Sequence, residues 1–218
     1  MEHGAAQSIL YHRRLHRFRE VVTGIFGLIT VLGAFSLTEL PIERTEDLGA
    51  VLCYFAPLFF FIIGLWTQVT ELLDLHPSHD RHIERTVTIV LFFATLVPVS
   101  VKLGSKASNV LGALAFDAFP VTLAIVFLLL AWSSHRLLTW RDEAMHPLDK
   151  ELVTSQRNCD VLLAIMFLAS LPIPPTAQIL PGISWSGLAW ISTFFVAPAI
   201  IKRLHRVSTR PLLPSVHV

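Results

Sequence analysis

Apolar residues run through the chain in long stretches, and charged residues fall between them in short clusters. Positions 21–38, 48–70 and 86–101 carry no Asp, Glu, Lys or Arg. Positions 107–134 are interrupted only by Asp117, and from 161 to 201 no charge occurs over 41 residues. A bilayer's hydrocarbon core takes about 20 apolar residues of α-helix per crossing. Each of the first four runs therefore predicts one membrane-spanning helix, and the last predicts two. The turn in that last run falls between Leu171 and Ile183, where Pro172, Pro174, Pro175, Pro181 and Gly182 cluster. The expectation is an all-α polytopic membrane protein of six transmembrane helices. They are placed at about 20–38, 48–72, 85–103, 108–134, 159–174 and 183–201. Together they form one domain over 1–206, followed by a short tail at 207–218.

The placement of lysine and arginine gives the chain a direction. Fourteen of them lie before the first run, between runs two and three, between four and five, or after the last. Only Arg44, Lys102 and Lys106 lie on the other side. Basic loops stay cytoplasmic, so both termini are expected in the cytoplasm and the protein in the cell membrane. The first outer loop is acidic (Glu39, Glu43, Glu46, Asp47) and the last is short and uncharged. The largest polar segment, 135–160, is cytoplasmic and reads as amphipathic or as helical extensions of its neighbours. No cleavable signal peptide is expected, because a polar N-terminus precedes the first run.

Composition sharpens this picture. The chain is 53% hydrophobic and 15% charged over 218 residues, with mean hydropathy +0.62, whereas a soluble domain carries about 25% charge. Two cysteines, Cys53 and Cys159, make no disulfide framework. Neither a phosphate loop, a nucleophile elbow nor a metalloprotease helix is present. We therefore expect no enzyme, no cofactor, no resident metal and no nucleic-acid partner.

Polar and small residues within the runs are the candidates for function. In the first run, Ile25, Ile29 and Leu32 recur at i, i+4, i+7 and share a helix face. Thr23, Gly24, Gly27, Thr30, Gly33 and Ser36 add small and polar surface. Such a face suits close helix packing in lipid, and a ring of branched aliphatics also closes a pore by dewetting. Glu20 starts this run between Arg17 and Arg19. It reads either as an acid favoured by the helix dipole or as a group holding the helix against its neighbours. Three readings compete for Asp117: a vestibule or proton-relay site, a partner of Lys102 or Lys106, and a span that begins deeper in the helix. His76, His79 and His82 carry ligand types at close spacing, against a solvated loop as the default. His12 and His16 form an i, i+4 pair. Trp132, Trp140, Trp185 and Trp190 read as interfacial aromatic belts.

Two motifs resemble a known family. Arg14-Leu-His-Arg-Phe18-Arg19-Glu20 is similar to the Arg-x-x-x-Phe-Ser-Asp motif that opens the first helix of the one-repeat prokaryotic transmembrane protein 175 family. Tyr54-Phe-Ala-Pro-Leu-Phe-Phe-Phe-Ile-Ile-Gly64-Leu-Trp66 resembles the family's second-helix pattern Tyr-x-x-Ser-Phe-x-x-Ile-Gly-x-x-Trp. Leu96-Val-Pro98 resembles its third helix loosely. The resemblance implies a potassium-permeable cation channel, also open to other monovalent cations, assembled as a homotetramer in the lipid bilayer with the first helix at the central axis. It implies that Ile25, Ile29 and Leu32 form the pore constriction, and that Arg14, Phe18, Arg19 and Glu20 occupy the motif's gating network. The chain departs from the family at Arg19-Glu20, where Ser-Asp is expected. It departs again at 67–71, where a histidine pair is expected. A non-conducting membrane scaffold or sensor, or a pore opened by a partner, are the alternative readings that these departures favour.

Overall fold

The computed structural model describes residues 2–38, 45–75, 81–106, 110–141, 145–173, 178–180 and 183–208. Six helices fill these segments: α1 (Glu2–Thr38), α2 (Thr45–Leu75), α3 (Arg81–Lys106), α4 (Val110–Arg141), α5 (Pro147–Ala169) and α6 (Trp185–Ser208). A two-strand hairpin, β1 (Gln178–Leu180) and β2 (Ile183–Ser184), precedes α6, with Gln178 opposite Ser184 and Leu180 opposite Ile183. The architecture is all-helical, as expected. Among the described residues α2 to α6 each carry a segment long and apolar enough to cross a membrane.

The helices outrun the apolar runs that announce them. α1 has 37 residues, about 55 Å at 1.5 Å per residue, so it extends well past a 30 Å hydrocarbon core. α4 continues to Arg141 and α5 already starts at Pro147, so much of the polar segment 135–160 is helical extension. The expected start of the fifth helix at 159 is thus twelve residues late. Local chemistry explains the early start. The Nδ1 of His146 caps the helix by accepting from the Leu148 N–H at 3.4 Å, Pro147 occupies the first turn where its missing N–H costs nothing, and Asp149 suits the positive end of the dipole.

Helix contacts close a ring in the order α1, α3, α4, α5, α6, α2 and back to α1, with α2 also touching α3. α4 is the inner member and packs most extensively on α3 and α5. It buries Phe119, Leu123, Ala124, Val126, Phe127, Leu130 and Leu137 on several sides, as a helix apolar all round should. Aromatic rings tie the far side together. Phe127 of α4 lies 6.0 Å from Phe61 of α2, 6.0 Å from Phe167 of α5 and 6.4 Å from Phe194 of α6. Such pairs add about 0.5–1.5 kcal/mol each beyond burial.

Seven hydroxyls among the described residues of the spans are satisfied inside their own helices. Thr30, Thr67, Thr70, Thr86, Ser100, Ser133 and Thr193 each donate to the carbonyl four residues back at 2.7–3.0 Å. An apolar surrounding requires this, because no water is there to take the proton.

Candidate functional site

α1 packs against α2 and α3 on one side. Val22, Phe26, Ile29 and Gly33 recur at i, i+4, i+7, i+11 and form its buried stripe. Gly33 lets α2 approach: a Cβ there would stand 3.1 Å from Leu58 Cδ2. On the other arc Val21 is 57% exposed, Leu28 55% and Leu32 41%. Gly24 and Gly27 have nothing within 4 Å of where a Cβ would stand.

The three residues of the expected constriction therefore part company. Ile29 is 0% exposed and belongs to the chain's own core. Ile25 lies at the border, half-buried against that core, and Leu32 faces outward. The outward seam that includes Ile25 and Leu32 runs Val21, Ile25, Leu28, Leu32. This is the same i, i+4, i+7, i+11 spacing rotated away from the core. Periodicity alone does not separate Ile29 from Leu28, because adjacent stripes of this helix are both aliphatic.

The basic start of α1 is also sorted differently from expectation. Glu20 pairs within its own helix, 3.3 Å from His16 Nδ1. Arg19 makes the crossing contact: its Nη2 donates to Asp74 Oδ1 near the end of α2. Phe18 packs against the core. The Arg14 side chain lies outside the described residues, as do those of His12, Cys53, Lys102 and Lys106, and His76 and His79 altogether. His82 is exposed, and no group of metal-ligating side chains occurs among the described residues.

Asp117 is exposed and lies seven residues after Val110, where α4 starts. Trp190 corrects the aromatic-belt assignment. It is buried, its ring centroid is 4.6 Å from that of Phe119, and its Nε1–H donates to Ser170 Oγ at 3.0 Å just past the end of α5. Trp132, Trp140 and Trp185 are exposed, and the Arg136 guanidinium lies 4.4 Å from the Trp140 ring centroid.

Among the described residues one acid is buried, and the sequence reading, which puts it at the start of the fifth helix, names it as no candidate. Asp160 is 1% exposed in α5 and accepts a hydrogen bond on Oδ1 from Gln68 Nε2 of α2 at 2.9 Å. Two signals mark these residues. Asp160 falls on the buried stripe Val153, Asp160, Ala164, Phe167, and Gln68 on the stripe Phe61, Leu65, Gln68, Leu72. A polar residue in register with an apolar stripe is destined for the interior. Beside the pair, α2, α5 and α6 diverge around a cleft of about 830 Å³. Phe61, Phe127 and Phe194 line its inner part, and Glu151, Ser155 and Lys202 stand among its polar lining. Gln68 and Cys159 line it too.

Comparison of the chain with protein-family models, with curated proteins and with solved structures gave no match.

Proposed function

We propose that the chain is a cation channel subunit, potassium-permeable, that assembles as a homotetramer in the cell membrane with α1 at the axis and both termini in the cytoplasm. In this reading all six helices cross the bilayer. The observation that carries it is the one-sided packing of α1. Its inner stripe is spent on α2 and α3, while Val21, Leu28 and Leu32 stay exposed beside two glycines. Glycines there let backbones approach closely in lipid. Aliphatic rings around an axis give a constriction that closes by dewetting. The gate of this account is therefore Val21, Ile25, Leu28 and Leu32, without Ile29. A single six-helix chain has no symmetric pore of its own, so a closed ring of copies supplies it.

A non-conducting scaffold, or a pore that waits for a partner, is the second reading. The Arg19–Asp74 pair favours it, because this contact stands in the motif where the resembling family has Ser-Asp. Flux measured on purified protein in liposomes separates the two. The channel reading expects potassium flux that Leu28→Asn raises by wetting the constriction. Silence from wild type and variant, both folded and oligomeric, would favour the scaffold.

A further inference from the structure

The Asp160–Gln68 contact leaves two oxygens without a donor. Nε2 of Gln68 is spent on Asp160 Oδ1. Asp160 Oδ2 and Gln68 Oε1 are both buried and have no hydrogen-bond partner. Buried acceptors of this kind are rare and each calls for an explanation. The two here belong to groups already held together through their other corners, so one explanation has to serve both.

Charged neighbours do not supply it. Arg157, three residues before Asp160 on α5, directs its guanidinium to Asn158 Oδ1 and toward His135 of α4. Glu71, three residues after Gln68 on α2, is exposed, and Asp74 is taken by Arg19. Lys202 of α6 lines the cleft with Gln68 but makes no ion pair among the described residues. The adjacent Cys159 is a thiol outside any disulfide. An ionised carboxylate at this place would thus sit buried in a helix apolar enough to span a membrane, with one hydrogen bond and no counter-ion among the described residues, an arrangement that burial strongly disfavours.

From this geometry we infer that Asp160 and Gln68 form a proton-binding site, with one proton on Asp160 Oδ2 shared with the Gln68 carbonyl. A carboxylic acid and a primary amide pair in a ring: the amide N–H goes to one acid oxygen, and the acid O–H returns to the amide oxygen. One proton turns the two orphaned acceptors into a donor and its partner, and no metal is needed. The ring also does mechanical work. α2 and α5 touch little elsewhere, so this clasp fastens the two walls of the cleft at its inner end. The site stands apart from α1 and holds whether or not the chain conducts.

Infrared difference spectroscopy tests it without reference to ion flux. Wild type and Asp160→Asn would be compared in lipid nanodiscs at neutral pH, in H2O and D2O. The expected result is a carbonyl stretch of a protonated carboxylic acid, shifted down in D2O and lost in Asp160→Asn. Carboxylate stretches in its place would overturn the proposal. Gln68→Leu is the second arm and leaves the acid in place, so it also serves where Asp160→Asn fails to fold. There the band is expected to move to higher frequency as the shared hydrogen bond is lost. A band that is absent from wild type, or unmoved by Gln68→Leu, would contradict the ring.

Discussion

Leu28 and Ile29 are neighbours in the chain and sit on opposite sides of a boundary. Leu28 is exposed on α1, and Ile29 is sealed among α1's neighbours. Their polar substitutions should differ in kind. Ile29→Asn puts an amide into the buried apolar core and should destabilise the fold by about 2–5 kcal/mol. Leu28→Asn should leave the unfolding midpoint nearly unchanged. Denaturant titration of the purified chain in micelles checks both. Trp190 is a second residue whose role is local. Trp190→Phe removes the donor to Ser170 Oγ while keeping a ring on Phe119, and should cost about 0.5–1.5 kcal/mol. The Arg19–Asp74 contact looks stronger than it should prove. Its side chains are 39% and 55% exposed, so a double-mutant cycle is expected to return a coupling of only about 0.2–1 kcal/mol. A larger coupling would show that this end of α1 and α2 is drier than the isolated chain implies.

At the scale of elements, α1 has one finished face and one unfinished face, and its glycines divide accordingly. Gly33→Val should crowd Leu58 and cost about 1–3 kcal/mol. A Cβ added at Gly24 or Gly27 meets nothing within 4 Å, so Gly24→Leu and Gly27→Leu point into open space. They should leave the fold intact and weaken self-association, read as a shift from oligomer to monomer by light scattering. Unchanged assembly in both would remove α1 from the subunit interface. The elements themselves were largely legible in the sequence. Apolar runs, a proline-rich turn and charge clusters locate six helices, because lipid and water sort residues by hydropathy. The extension of α5 was anticipated only as one reading of 135–160, and its start was placed late, since 147–160 mixes charges with an apolar stripe and only helical register reveals the stripe. The clasp was hidden for the same reason. Asp160 borders the uncharged run at 161, and charge counting leaves it at the polar edge of the fifth helix, while its register with Ala164 and Phe167 carries it inward. Trp190 was assigned to an interfacial belt because an indole suits an interface and a core alike until its N–H partner is known. Ile29 was misplaced because two adjacent stripes of α1 are equally apolar.

At the scale of the whole molecule, the ring of helices buries the aromatic centre around Phe127 and leaves α1 able to meet another copy. That asymmetry is what a subunit needs if its pore lies between chains rather than within one. The measurement that tests this most directly is ion flux through the purified protein in liposomes, with potassium and sodium gradients compared and Leu28→Asn and Ile29→Asn run alongside wild type. The account predicts potassium flux in wild type, a rise of several-fold in Leu28→Asn, and in Ile29→Asn a loss of folded protein rather than a wetter pore. A folded, oligomeric wild type that passes neither ion, with Leu28→Asn equally silent, would contradict it.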